Sequence, residues 1–205
     1  LRPPRDTLFP SPKLFRSGIA LLSFLTGYTS STTGEKALLF QKTLQAIPLQ
    51  YRTGPPEDLD INDALRRVAD AIRGDKKVGF IGSSLGGYLA AATALDNIAV
   101  THVALLNPAI IPPGTDLSNI TTMPQAILKR MINPNLFSRC LPARLLILRG
   151  TQDTVVPDDW VQPFARAQHA KIFCFNDDHR FTHSMHKFPE ILAHFFAETP
   201  RVIDG

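Results

Sequence analysis

Apolar and polar positions along this chain follow two periods that take turns almost without a break. Residues 19–25 are a short apolar run ending at Thr26-Gly27, which predicts a strand with a turn behind it. Residues 35–47 predict a helix, with Ala37, Phe40, Leu44 and Ile47 on one face. Residues 49–53 are a brief strand candidate closed by Gly54-Pro55-Pro56. The clearest helix comes next: Ile61, Leu65, Val68 and Ile72 recur at intervals of four, three and four, and Gly74 supplies the stop. Residues 78–81 then predict a buried strand, 85–95 an Ala-rich helix, and 100–106 a strand ending at Asn107-Pro108. The remaining elements are a strand over 144–148, a helix over 157–168 that starts on a proline, a strand over 171–175 and a last helix over 188–196. Strands and helices in alternation are βαβ units. The expected fold class is therefore α/β, a mostly parallel sheet of about six strands flanked by helices on both faces.

Two segments depart from this rhythm. Residues 108–142 hold no strand, only prolines, polar turns and one amphipathic stretch over 125–132, and a connection of that length reads as a short lid insertion. The opening LRPPRDTLFPSP is Pro-rich and aperiodic, so residues 1–17 are expected to form an extended arm ahead of a single domain over 18–198. The chain opens at Leu1 rather than Met, as a processed product would, which leaves a removed targeting segment open.

The chemistry centres on Gly82-Ser83-Ser84-Leu85-Gly86-Gly87, a G-x-S-x-G pattern between a predicted strand and a predicted helix. A chain that reverses from strand to helix there holds its central residue in a strained conformation, and the flanking positions must be small because the two arms nearly touch. The Ser84 hydroxyl would stand proud of the sheet at a helix N-terminus that favours developing negative charge. The rival reading is a glycine-rich nucleotide-binding turn, but neither G-x-G-x-x-G nor G-x-x-x-x-G-K-[ST] is present. Ser83 reads as a turn residue.

A serine nucleophile needs a base, and the base needs an orienting carboxylate. On such an elbow the order along the chain is serine, acid, histidine. Asp153, just past the strand over 144–148, is the candidate acid, with a solvated turn aspartate as the plainer alternative. Asp158 and Asp159 read instead as first-turn residues that complement a helix dipole. His179, after the last strand and before the last helix, is the candidate base, with His183 and His186 as competitors. His102, His169 and His194 fall on predicted regular elements and read as structural or exposed.

Composition narrows the partners. Charged residues make up 20% of the chain and the net charge is +4, too mild and too scattered for a nucleic-acid surface. No apolar run is long enough for a membrane span. Cys140 and Cys174 belong to no C-x-x-C pair or His/Cys cluster, so no metal site is expected, and reduced thiols suit a cytoplasmic protein.

With these residues in hand, the chain resembles the α/β-hydrolase superfamily and, within it, the small YqiA-like esterases. The likeness runs from Ile19 to Phe196 and rests on GSSLGGYLA, LLNPAI, GTQD and NDDHRFTH in the family's order. It implies a serine-dependent ester or thioester hydrolase, a small-molecule substrate and no cofactor. The family's loop after the first strand usually carries His-Gly, where this chain has Thr26-Gly27 followed by Tyr28. An oxyanion hole needs backbone N–H groups, so the departure does not forbid one, and Leu85 and Tyr28 are the expected donors. The expected function is a carboxylesterase for short- to medium-chain esters, acting through Ser84, His179, Asp153 and an acyl-enzyme. A thioesterase, amidase or acyltransferase on the same site remains open, as does a non-catalytic binding protein.

Overall fold

A computed structural model of the chain describes residues 18–201, and the arm expected over residues 1–17 lies outside them. Six strands, β1 (Leu21–Leu25), β2 (Ile47–Pro48), β3 (Val78–Ser83), β4 (Val100–Leu106), β5 (Arg144–Gly150) and β6 (Lys171–Phe175), form one sheet. Its order is β2-β1-β3-β4-β5-β6 and every pairing is parallel. The helices are α1 (Glu35–Leu44), α2 (Ile61–Ala71), α3 (Leu85–Leu95), α4 (Gln125–Met131), α5 (Asn135–Ser138), α6 (Asp158–Gln168) and α7 (Phe188–Phe196).

Strand parity divides the core into two layers, because successive side chains leave a strand on opposite faces. Phe80, Val103, Leu105 and Ile147 pack with Val68 of α2, Leu89 of α3 and Phe164 of α6. Phe24, Ile81, Ala104 and Leu148 pack on the opposite face with Phe40 of α1 and with Leu192 and Phe196 of α7. Burial on both faces is why the strands read as continuous apolar runs rather than as alternating ones.

The strand order also fixes where a ligand can sit. From β1 the chain runs outwards to β2, then returns past β1 to β3 and continues the other way to β6. Right-handed crossovers in opposite directions put their helices on opposite faces, so α1 and α3 diverge and leave a crevice at the carboxyl ends of β1 and β3.

Two expected boundaries move. The helix expected over 35–47 stops at Leu44, because Gln45 turns left-handed at φ 57° and its N–H closes onto Gln41 O. Ile47 consequently leaves the helix and pairs with Ser23 of β1. The strand expected over 49–53 is displaced to Ile47–Pro48. The Leu49 N–H makes one bond to Phe24 O, after which Tyr51 and Arg52 turn towards the loop behind β1 instead of continuing the ladder. Elsewhere β3 runs two residues past the expected end at 81, and β5 two past 148.

The 108–142 segment is strand-free as expected. It carries α4 and the unpredicted short α5, and it buries Ile110, Ile111, Ile127, Leu128, Met131 and Leu136 in the core. Cys140 and Cys174 are both free thiols and exposed. Among the described residues, no helix is long and apolar enough to cross a membrane.

One histidine is part of the core. His102 in β4 is fully buried, with Nε2 3.0 Å from the Glu198 carbonyl and its ring edge-on to Phe195. Burial holds the imidazole below its ordinary pKa, although the Glu198 carbonyl acts the other way. The unfolded chain therefore binds a proton more readily at this site. Its contribution to stability is complete above about pH 6.5, the ordinary value, and is lost as the pH falls below it. The urea midpoint should drop between about pH 7 and 5, and less steeply in His102→Gln than in the parent. Equal slopes in the two proteins would remove His102 as the cause.

Candidate active site

Ser84 sits in the sharp turn between β3 and α3 at φ 54° and ψ −118°, a left-handed conformation that costs a serine on the order of 1–3 kcal/mol. Its neighbours explain why the chain holds it there. A Cβ at Gly82 would come within 2.5 Å of Gly86 O, and one at Gly86 would collide with the Leu25 and Thr26 carbonyls. Only glycine lets β1, β3 and the first turn of α3 approach this closely. The Ser84 N–H donates to Leu106 O, and its carbonyl accepts from Gly87, Tyr88 and Ala109.

Asp153 lies on the loop after β5 with its side chain fully buried. Its Oδ1 accepts from the Val155 and Val156 N–H groups at 2.7 and 3.0 Å. Its Oδ2 is 2.8 Å from His179 Nδ1 and 3.2 Å from Arg149 Nη1. Burial alone would push this carboxyl up, but the His179 contact and the two amides outweigh it and hold the group below the usual carboxylate range. The acid is thus ionised at neutral pH and can only accept. The Nδ1 of His179 then carries the ring proton, which leaves the Nε2 lone pair unencumbered.

Ser84 and His179 both line one cavity of about 520 Å³ at the crevice between α1 and α3. Ser83, which ends β3 instead of lying in the turn as expected, shares its wall with Thr26, Gly27 and Tyr28. Among the described residues, neither the Tyr28 N–H nor the Leu85 N–H has a hydrogen-bond acceptor, and both belong to the segments that flank Ser84.

The competing residues fall elsewhere. His183 is 82% exposed at its side chain and sits 3.3 Å from Asp177, away from the cavity wall. His186 is exposed. Asp177 and Asp178 hold backbone rather than His179. The Asp177 carboxylate accepts from the amides of Asp178, His183 and Ser184. Its buried position would push its pKa up, yet those donors hold it at about 2. Asp178 accepts from the amides of Arg180 and Thr182. Asp158 does more than sit in the first turn of α6, since its Oδ1 takes Arg149 Nε at 3.1 Å.

Four supporting residues escaped the sequence reading. Asn107, at the end of β4, accepts the Gly150 N–H on Oδ1 at 2.8 Å and donates from Nδ2 to His179 O at 3.1 Å. It thereby ties the Asp153 loop to the His179 loop. Arg149 is 4% exposed and clamps Asp153, Asp158 and the Val156 carbonyl. A charge at the end of the apolar run LLILRG was the available signal, because a buried arginine requires partners. Tyr51 Oη donates to the Thr26 and Gly27 carbonyls, each 3.1 Å away, and Arg52 donates to those of Tyr28 and Ser30. Nothing local in the sequence marked Asn107, Tyr51 or Arg52, whose partners are 22 to 72 residues distant.

Among the described residues, no group of three or more His, Cys, Asp or Glu side chains could hold a metal ion.

Comparison with known proteins sets this geometry in context. A search of the curated proteins finds no match. Solved structures do match over most of their length. Est1E from Butyrivibrio proteoclasticus, with ferulic acid bound, superposes at a TM-score of 0.70 and 19% identity, covering 90% of this chain and 89% of its own. A thermophilic esterase from Thermogutta terrifontis with propionate bound gives 0.64 and 20%, covering 86% and 82%. A monoacylglycerol lipase from Paleococcus ferrophilus gives 0.64 and 15%, covering 86% and 93%. At these identities the likeness establishes the fold, which is that of the α/β-hydrolases, in agreement with the resemblance read from the sequence. The family model for the uncharacterised protein family UPF0227 matches residues 21–197, and the chain belongs to that family.

Proposed function

We propose that this protein is a serine hydrolase that cleaves carboxylic esters of short to medium chain length through an acyl-enzyme. The observation that carries the reading is the pairing of a strained Ser84 with His179 in one cavity, where His179 is bonded through Nδ1 to the buried, ionised Asp153. In this reading Ser84 Oγ attacks the ester carbonyl and its proton passes to His179 Nε2. Asp153 fixes the ring tautomer and stabilises the imidazolium while it lasts. The amides of Leu85 and Tyr28 receive the oxyanion, and Tyr51 and Arg52 hold the Tyr28 loop by its carbonyls so that its N–H face is free. His179 then returns the proton to the leaving alcohol, and water attacks the acyl-serine by the same route in reverse.

The size of the cleft and its roof support the chain-length range. The 108–142 segment acts as a small lid: it gives Thr122 and Met123 to the cavity wall and keeps α4 and α5 packed on the core, which leaves little room for a long lipid groove. Esterases and a lipase among proteins of the same fold are consistent with this chemistry.

Hydrolysis of a chain-length series of chromogenic 4-nitrophenyl esters tests the reading. Activity should peak among the short and medium acyl chains. Ser84→Ala should lower kcat by on the order of 10⁵–10⁶-fold with an unchanged melting temperature, because alanine fits the same turn. A variant that kept most of its kcat would end the serine mechanism.

The base assignment has its own test. His179→Ala should be about as damaging as loss of Ser84, and Asp153→Asn should cost on the order of 10⁴-fold, since members of such a unit act together. His183→Ala should cost about tenfold or less, because its exposed ring contributes only to the Asp177 contact. The reverse ranking, with His183→Ala inactive and His179→Ala active, would show that the wrong histidine carries the proton.

A further inference from the structure

The cavity around Ser84 is chemically divided. One flank, belonging to the α3 and α6 side of the sheet, is apolar and includes Ala109, Met123, Val156 and Trp160. The other flank, on the α1 side, carries two cations, Lys36 and Arg180. Arg180 lies one residue beyond His179, and Lys36 stands in the first turn of α1.

Among the described residues these two cations lack the partners that would make them structural. Neither takes part in any ion pair or side-chain hydrogen bond among the described residues. Lys36 is half-buried. Burial lowers its pKa first, and the Arg180 charge adds to that, so the two sit near enough to repel. A half-buried ammonium beside a second cation is an unfavourable arrangement, because both desolvation and like-charge repulsion act against it. The nearby carboxylates do not relieve it by contact. Asp177 and Asp178 attract Lys36 at long range, but their oxygens are taken by the amides of their own loop and by the Thr182 hydroxyl. Glu35 borders the cavity too and attracts Lys36 more than either aspartate does, yet it is exposed, forms an ion pair with neither cation among the described residues, and does not outweigh burial and the Arg180 charge.

Resting on the serine-hydrolase reading, we propose that the substrate is an ester bearing a second, ionised acid group, which Lys36 and Arg180 bind while the apolar flank takes the rest of the molecule. A carboxylate or similar oxyanion supplies the missing counter-charge, and its contacts are charge-assisted on both sides. A neutral ester of the same length would leave the half-buried Lys36 ammonium without a counter-charge in a cleft from which water is being displaced, with the exposed Arg180 still beside it.

The test compares the 4-nitrophenyl hemiester of glutaric acid, which ends in a carboxylate, with the neutral 4-nitrophenyl butyrate and valerate. A second arm places the anion on the alcohol side, comparing the butyrate ester of 4-hydroxybenzoic acid with that of its methyl ester. The quantity read is the ratio of kcat/KM for the anionic ester to that for its neutral counterpart, within each protein. The parent should favour the anionic ester in at least one arm by about tenfold or more, as charge-assisted hydrogen bonds warrant. Lys36→Met and Arg180→Met should each cut that ratio about tenfold, Lys36→Glu should cut it further, and added salt should compress it in the parent. A parent ratio at or below one in both arms, or a ratio unmoved by Lys36→Glu, overturns the proposal.

Binding separates this claim from the catalytic one. Calorimetric titration of the Ser84→Ala protein with the monobutyl ester of glutaric acid, against butyl valerate, reads the cation pair without chemistry. If no ester is turned over by the parent, the hydrolase reading fails. The anion site then stands or falls on whether the hemiester still binds more tightly than the neutral ester and loses that advantage in Lys36→Glu. Thermal denaturation of each variant verifies that it is folded.

Discussion

The whole arrangement depends on how closely three backbone segments approach one another at the carboxyl end of β3. Gly82 and Gly86 bring the strand, the first turn of α3 and the end of β1 into contacts that no side chain could survive. Ser84 is forced to φ 54° as a result, and the flanking loop at Thr26–Gly27 is set immediately beside it. The sheet order makes this the point where helices part to opposite faces, so the strained residue looks into an open crevice rather than into a helix. A conformation that is costly for serine persists because the surrounding contacts leave the chain no alternative.

Around that fixed point, three loops are held by side chains that recognise backbone. Tyr51 and Arg52 grip the loop behind β1, Asn107 joins the β5 and β6 loops, and the Asp177 carboxylate shapes the turn that carries His179. Loops at the edge of a sheet have no ladder to define them, and these clamps take its place. The charges fit the same plan. Asp153 is buried but faces four donors, which keeps it ionised, and Arg149 is buried but answers two carboxylates and a carbonyl. Lys36 and Arg180, which line the cavity, pair with no carboxylate among the described residues.

How much of this was legible follows the range of the interactions. The sheet, its parallel sense and most of the helices rest on local periodicity, and α3, β4, β6 and α7 fall where the pattern puts them. The elbow is local as well, since it needs only small residues at fixed spacing around Ser84. The positions of Asp153 and His179 followed from strand ends and chain order, and the chain brings them to 2.8 Å. The edge strand was misplaced because β2 is two residues long and is defined by what β1 offers it, not by its own sequence. The clamps were invisible for a related reason. Asn107 reads as a strand terminator and Tyr51 as a strand residue, and only the folded chain reveals which distant carbonyls each one meets. Arg149 was missed too, although a charge at the end of an apolar run was a local signal that partners must exist.

If Ser84 is a nucleophile activated by its surroundings, as proposed, it should react covalently with reagents that ordinary serines resist. A fluorophosphonate probe that reacts with activated serines, followed by intact-mass analysis and peptide mapping, should add one equivalent to the parent protein at Ser84. Labelling should vanish in Ser84→Ala and slow severely in His179→Ala, since the hydroxyl is inert without its base. An unlabelled parent protein, or a label mapped to another serine, would mean that Ser84 is not an activated nucleophile and would leave the cavity as a binding site alone.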